Sequence, residues 1–302
     1  MCDETTEREL EAYLKRKAPT RRGFAVGATA SVAASVAAAS LALSGCASAA
    51  PTGISITESD VAIPTPDGTV DGRFFHPADG AHAAIIIWPD IHGVRPAFFD
   101  MARRLAGAGY SVIAANPYYR SHQGRLFQDG ESFRDPGGRE RVGPHYQRLT
   151  PATVVTDTAA IVAWLDGQAA VDTSRGIGAV GFCMTGSWTL RAAAAVPGRV
   201  NAPCSFHGGG LVTEAEDSPH RLADQMQGGV LIAIAENDHE RDPDAKDALI
   251  AAFEAAEVPA EIEVYADAMH GWVPPDSRAH NPEQSERAWG RMLALFEREL
   301  AV

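Results

Sequence analysis

Short, fully apolar runs alternate along this chain with longer segments in which apolar residues recur at helical spacing. Residues 83–88 form an apolar run of strand length, residues 97–107 have helical spacing, and residues 110–115 are again strand-like. Strands joined by helices form a mostly parallel sheet that helices cover on both faces, so we predict an α/β fold. Further strands are predicted at 176–180, 200–206, 230–235 and 260–265, and further helices at 152–167, 184–195, 243–256 and 282–300.

Two strand-like segments precede this alternation. Residues 54–63 and 69–75 flank Pro64-Thr65-Pro66-Asp67-Gly68, which are turn-forming residues. We therefore expect an antiparallel hairpin at the start of the domain. With 302 residues, of which 45% are hydrophobic, the chain can bury a sizeable core, and we assign residues 51–302 to one domain.

Composition excludes some classes of protein. The 26 basic and 39 acidic residues give a formal net charge of −13, which argues against a nucleic-acid partner. The four cysteines, Cys2, Cys46, Cys183 and Cys204, are too few and too scattered for a disulfide scaffold or a C-x-x-C motif.

The first fifty residues are typical of an export signal followed by a tether. Arg21-Arg22 precedes residues 23–57, which contain no Asp, Glu, Lys or Arg, and this pattern resembles a twin-arginine signal. Cleavage could fall at the lipobox-like Leu43-Ser44-Gly45-Cys46, with acylation of Cys46, or after Ala47-Ser48-Ala49. The alternative is a retained membrane helix over residues 23–43. We expect use of the export machinery and a periplasmic location or attachment to the outer side of the cytoplasmic membrane.

Residues 118–150 interrupt the alternation of strands and helices. This segment is rich in Arg, Gly, Asp and Pro and has no clear period. Because it follows a strand, it should lie over the carboxyl edge of the sheet, where open α/β sheets bind ligands. We predict a lid or pocket wall there, with a mobile surface insertion as the alternative.

A candidate nucleophile stands where a predicted strand turns into a helix. Cys183 lies within Gly181-Phe182-Cys183-Met184-Thr185-Gly186, a G-x-C-x-T-G pattern at the position of the G-x-S-x-G nucleophile elbow of α/β-hydrolases. A buried, inert thiol is the alternative for Cys183 and the favoured interpretation of Cys204.

Asp238 and His270 follow the next strands in the order of such a catalytic triad. Asp238 comes just past the strand at 230–235, and His270 follows the strand at 260–265. We predict Cys183, His270 and Asp238 as nucleophile, base and acid; the alternatives are a structural histidine and a helix-capping aspartate.

A glycine-rich motif, His207-Gly208-Gly209-Gly210, follows the nucleophile. The H-G-G-G motif of lipases precedes their nucleophile, so we interpret this segment as a loop that lines the pocket. Asp238-His239-Glu240 is a poor metal set on one loop, and no metal or cofactor is expected.

These segments resemble the dienelactone hydrolase family over nearly the whole chain after the signal. The resemblance includes Trp88-Pro89-Asp90-Ile91-His92-Gly93-Val94-Arg95 and Ala115-Asn116-Pro117-Tyr118-Tyr119-Arg120. It implies an α/β-hydrolase fold and cleavage of small carboxylic esters or lactones through an acyl-thioester, with broad carboxylesterase activity as a near variant. The alternatives are a thiol redox or sensor protein and a non-catalytic surface lipoprotein.

The resemblance also implies roles for individual residues. Asp90 stands where the family has a glutamate that modulates the thiol, and the backbone N–H groups of Ile91 and Met184 would form the oxyanion hole. Pro274 stands where some members have a second carboxylate-binding arginine, and the nearest arginine is Arg278. Substrate contacts are expected from Arg120, Tyr118 and Trp272, with a surface arginine as the alternative for Arg120.

Overall fold

The structure is a computed structural model that describes residues 4–17 and 54–301, and its centre is an eight-stranded sheet. The strands are β1 (Ile56–Thr65), β2 (Gly68–Pro77), β3 (Ala84–Trp88), β4 (Ser111–Ala115), β5 (Ile177–Phe182), β6 (Val200–Phe206), β7 (Val230–Ala235) and β8 (Ala260–Tyr265). Their order in the sheet is β1-β2-β4-β3-β5-β6-β7-β8. The pairs β1–β2 and β2–β4 are antiparallel, and all the other neighbours are parallel.

Helices cover both faces of this sheet. They are α1 (Glu4–Lys17), α2 (Pro96–Gly107), α3 (Gly138–Tyr146), α4 (Pro151–Asp166), α5 (Gly186–Ala195), α6 (Glu236–Arg241), α7 (Ala245–Ala255) and α8 (Pro282–Glu299). Short 3₁₀ turns occur at Cys183–Thr185 and Pro219–Gln225. Among the residues described, none of the helices is both long and apolar enough to cross a membrane.

The core has two layers because the sheet is buried on both faces. In β3, Ile85 and Ile87 pack with α2 and α8, whereas Ile86 and Trp88 pack with α4, α5 and α7. Successive side chains of a strand point to opposite faces, so an uninterrupted apolar run is what this position requires. All five residues of β3 are buried.

The predicted fold class is confirmed, including the antiparallel hairpin, which is β1 and β2. Most element boundaries agree with the sequence analysis to within two residues. Two short helices were not predicted: α3 lies inside the segment assigned to a lid or pocket wall, and α6 begins directly after β7. Asp238 therefore lies on the first turn of a helix instead of a loop.

Helix α1 packs against the domain, although the sequence analysis left residues 1–50 outside the fold. Its Leu10 is buried against Met269 and Ala279. Arg21-Arg22, the two cleavage points, Cys46 and the retained helix considered for residues 23–43 lie outside the described residues.

Candidate active site

Cys183 lies on a sharp turn between β5 and α5. Its φ is +56°, in the left-handed region that residues other than glycine rarely adopt, and its side chain is buried. Two glycines make this turn possible: a Cβ on Gly181 would lie 2.1 Å from the carbonyl oxygen of Thr185, and a Cβ on Gly186 would lie 2.4 Å from the Cα of Gly208. Strained backbone at a tight strand-to-helix turn is the geometry of a nucleophile elbow.

Thr185 fastens this elbow to the neighbouring strand. Its Oγ1 donates a hydrogen bond to the carbonyl of Trp88 at the end of β3 (2.7 Å) and accepts one from the N–H of Phe182 (2.9 Å). A threonine is accommodated in place of a smaller residue because its hydroxyl satisfies buried backbone groups.

His270 and Asp238 form a hydrogen-bonded pair at the same edge of the sheet. His270 Nδ1 lies 2.6 Å from Asp238 Oδ2, and the backbone N–H of His270 donates to Oδ1 of Asn237 (2.8 Å). Burial opposes ionisation of Asp238, yet the adjacent His270 ring holds the pKa of that carboxyl below its ordinary value. An ionised Asp238 keeps the proton on Nδ1, so Nε2 is the nitrogen that can take a proton from a nucleophile.

His207, directly after β6, is hydrogen-bonded to the backbone of Cys183. The N–H of Cys183 donates to His207 Nδ1 (3.1 Å), and the N–H of Gly209 donates to the carbonyl of Cys183 (3.0 Å). Burial and the neighbouring His270 ring, whose centroid is 5.0 Å away, lower the pKa of His207 to about 3. His207 is therefore neutral at physiological pH and can accept this hydrogen bond.

A cavity of about 310 Å³ opens over the elbow. The predicted nucleophile, base and oxyanion donors all line this cavity. They are Cys183, His270, Ile91 and Met184. The remaining wall residues come from the segment before α4, from α4 and α5, and from the glycine loop after His207: Tyr146, Leu149, Thr150, Pro151, Val154, Ser187, Trp188, Arg191, Gly209 and Gly210.

Asp90 is bound by an arginine. Its two carboxylate oxygens lie 2.7 and 3.0 Å from Nη1 and Nη2 of Arg95, and Arg95 also binds Asp276 through Nε (2.6 Å). Burial disfavours the charged carboxylate, but Arg95 and His92 hold the pKa of Asp90 far below its ordinary value. The carboxylate predicted to modulate the thiol is thus ionised and fixed by Arg95, a partner that the sequence analysis missed.

Tyr118 contacts both residues whose backbone N–H groups are the predicted oxyanion donors, Ile91 and Met184. Its hydroxyl donates to the carbonyl of Ile91 (2.8 Å) and lies 3.5 Å from Sδ of Met184. Burial first, and then the negative charge of Asp90, raise the pKa of Tyr118 well above its ordinary value. Tyr118 packs with Cys183 in one buried cluster but does not line the cavity, so it is placed to support Ile91.

Tyr118, Arg120 and Trp272 were expected to contact substrate, and none of the three lines the cavity. Arg120 binds the buried Asp157 through Nη1 (2.8 Å) and Asp67 through Nη2 (2.7 Å), and its side chain is 9% exposed. Trp272 is fully buried and stacks on Tyr265, with ring centroids 4.8 Å apart. Ion pairing occupies the side chain of Arg120, and core packing occupies that of Trp272.

Arg191 on α5 also lines the cavity. Its Nη1 donates to the backbone carbonyl of Asp217 (2.7 Å) and pairs with the Asp217 carboxylate (3.3 Å), and burial lowers the pKa of its guanidinium. The sequence pattern gave no sign of this role, because Arg191 stands within an alanine-rich helix. Within residues 4–17 and 54–301, no three His, Cys, Asp or Glu side chains are grouped closely enough to hold a metal ion.

The candidate nucleophile, acid and base, Cys183, Asp238 and His270, follow β5, β7 and β8 in that order, at one edge of a mostly parallel sheet. That arrangement defines an enzyme of the α/β-hydrolase class. The model of the dienelactone hydrolase family matches residues 70–300. The chain therefore belongs to the dienelactone hydrolase family and is a carboxylic ester hydrolase.

Relatives and solved structures agree with this assignment. A carboxymethylenebutenolidase of Rhodococcus opacus is 28% identical over 227 residues, which cover 74% of this chain and 84% of that protein. The crystal structure titled "Putative Dienelactone Hydrolase" from Klebsiella pneumoniae superposes with a TM-score of 0.69 and 26% identity, over 80% of this chain and 99% of the other.

Proposed function

We propose that this enzyme hydrolyses small carboxylic esters or lactones through an acyl-thioester on Cys183. One observation carries the proposal: Cys183, on its strained turn, lines the same cavity as His270, whose ring is hydrogen-bonded to Asp238. A thiol, an imidazole and a carboxylate in this order are the parts that nucleophilic acyl transfer needs.

In the first half-reaction His270 Nε2 takes the proton of the Cys183 thiol, and the sulfur attacks the carbonyl carbon of the substrate. The negative charge that develops on the carbonyl oxygen is stabilised by the backbone N–H groups of Ile91 and Met184. The carbon–oxygen bond to the leaving group then breaks, and the alkoxide takes the proton from His270. An oxyanion donor contributes about 10²–10³-fold and general acid–base transfer about 10²–10⁴-fold to such a step.

In the second half-reaction His270 takes a proton from water, which attacks the thioester carbonyl. The tetrahedral intermediate collapses with cleavage of the carbon–sulfur bond, and the sulfur takes the proton back from His270. The free acid leaves and Cys183 returns to its starting state. The scheme requires no metal or organic cofactor, because every proton moves between His270, Cys183, the leaving group and water.

Asp90 acts in this scheme by fixing the backbone next to the elbow. Arg95 holds both oxygens of its carboxylate, and Oδ1 also accepts the backbone N–H of His92 (2.9 Å). These bonds hold the turn that carries Ile91, one of the two proposed oxyanion donors.

Cavity size and wall chemistry support a small substrate. A volume of about 310 Å³ lies at the lower end of the range for small-molecule sites. The wall is largely apolar and includes Arg191, which pairs with Asp217. The carboxymethylenebutenolidase name of the Rhodococcus relative supports a lactone among the substrates.

The proposal includes export of the enzyme. Its basis is the sequence pattern described above: Arg21-Arg22, the uncharged segment after it, and the lipobox-like residues that end at Cys46. The enzyme would then act outside the cytoplasmic membrane, either released or attached through an acylated Cys46.

Turnover of a panel of small esters and lactones by Cys183→Ala and His270→Gln tests the function. We expect each substitution to lower kcat/KM by at least about 10³-fold, because the triad acts as a unit. Cys204→Ala, which removes the other thiol in the described domain, is the matched control and should leave kcat/KM within about two-fold. Full turnover by Cys183→Ala would exclude the scheme. Consumption of peroxide without ester cleavage would favour a redox protein, and failure of the wild-type enzyme on every ester would favour a non-catalytic lipoprotein.

A further inference from the structure

Helix α1 contacts both segments that carry the acid–base pair, which are helix α6 and the loop after β8. It precedes the residues that match the family model, 70–300, so its contacts belong to this chain and not to the family core. Its residues Glu9, Leu10 and Tyr13 contact these segments, and we call the three together the N-terminal clamp.

The clamp holds the His270 loop at two points. Leu10, 2% exposed, packs on Met269, which directly precedes His270. The hydroxyl of Tyr13 donates to the backbone carbonyl of Asp267 (2.9 Å). A buried apolar contact and a hydrogen bond on the backbone limit how far this loop can move.

Glu9 connects the clamp to the Asp238 side of the pair. Its Oε2 accepts from Nδ2 of Asn237 (2.8 Å) and from Nη2 of Arg241 (2.7 Å). Asn237 in turn accepts the backbone N–H of His270 through Oδ1, so Glu9 orients the amide that positions His270. A carboxylate acceptor fixes such an amide more strongly than water does.

Arg241 gives Glu9 a second effect. Its Nη1 lies 3.5 Å from Oδ1 of Asp238, at the limit of a hydrogen bond, while Nη2 is bound by Glu9. Without the Glu9 charge, Arg241 would pair more closely with Asp238 and would compete with His270 for that carboxylate. His207, after β6, also acts on Asp238, and Cys183 lines the same cavity as His270.

We propose that α1 is a positioning element for the acid–base pair, acting through Glu9 on Asn237 and Arg241 and through Leu10 and Tyr13 on the His270 loop. This proposal rests on the function proposed above for His270 and Asp238. Both cleavage points predicted from the sequence lie between α1 and the domain, so the proposal concerns the enzyme before cleavage and export separate α1 from it. The unprocessed and processed enzymes would then differ in activity.

Glu9→Ala in the full-length chain tests the role of the clamp, with Glu11→Ala, an exposed position of the same helix, as the matched control. We expect Glu9→Ala to lower kcat about three- to ten-fold with little change in KM, and to shift the acidic limb of the kcat/KM profile to lower pH. Adding Arg241→Gln should reverse the pH shift, because the competing cation is then gone. Equal kcat values and pH profiles for Glu9→Ala and Glu11→Ala would overturn the proposal.

A second measurement separates positioning from folding. A protease recognition sequence placed between residues 17 and 54 allows the folded enzyme to be cut and α1 to be washed away. We expect kcat to fall on removal of α1 and to recover when a peptide of residues 1–20 is added. Unchanged kcat after removal would contradict the proposal, and so would a loss that the peptide cannot reverse. Acyl loading of the uncut wild-type enzyme is measured in parallel, because its failure would reject the proposed function and not only the clamp.

Discussion

Cys183 depends on His207 for the conformation of its backbone. A φ of +56° costs free energy in a residue with a side chain, and the hydrogen bond from the Cys183 N–H to His207 Nδ1 helps to offset that cost. Nδ1 can accept only while the ring is neutral. The low pKa of His207 is therefore part of how the elbow is held.

His207→Gln should make the stability of the enzyme less dependent on pH. The folded-state pKa is about 3 and the ordinary value is 6.5, so between these limits the unfolded chain binds the additional proton. Wild-type stability therefore falls as pH drops below 6.5, with up to about 1.4 kcal/mol per pH unit due to this one group. Urea unfolding from pH 7 to pH 4 should show a shallower slope in His207→Gln.

His82→Gln, at a partly exposed histidine, is the control and should keep the wild-type slope. If His207→Gln kept it too, His207 would bind a proton as readily in the folded state as in the unfolded chain, and the hydrogen bond from Cys183 would have to be assigned differently.

Arg120 joins three parts of the fold. It connects the segment after β4 to Asp157 of α4, and to Asp67 of the turn between β1 and β2. Burial raises the pKa of Asp157 against the opposing effect of Arg120, so the arginine is what allows a carboxylate with 1% side-chain exposure to ionise there.

Arg120→Met should therefore act on stability. Removing one partner of a buried ion pair costs about 3–5 kcal/mol, and we expect a loss of that size in urea unfolding, with kcat/KM nearly unchanged below the transition. Arg291→Met, which removes a surface pair with Glu261, should cost less than about 1 kcal/mol. If Arg120→Met instead kept normal stability and raised KM for anionic esters only, Arg120 would bind the substrate carboxylate, as the family resemblance implied.

At the scale of the whole molecule, periodicity in the sequence was enough to predict the sheet, the helices on both faces and the hairpin. Buried parallel strands must be continuous apolar runs, and the turn residues between β1 and β2 are distinctive. The positions of Cys183, Asp238 and His270 followed from strand ends, because parallel strands present their carboxyl ends at one edge.

Contacts between distant segments could not be predicted in this way. Arg95 on Asp90, Asn237 beneath His270, and α1 against the domain all depend on how loops fold back on each other. Arg120 and Trp272 were assigned to substrate by resemblance, but a motif does not show which side chains ion pairs and core packing already occupy.

The mass of the intact enzyme, quenched in acid during turnover of a small activated ester, tests the central claim most directly. We predict one acyl group per chain, located by peptide mapping on Cys183 and missing in Cys183→Ala. An acyl group on another residue, or ester turnover with no covalent species at any quench time, would contradict the account.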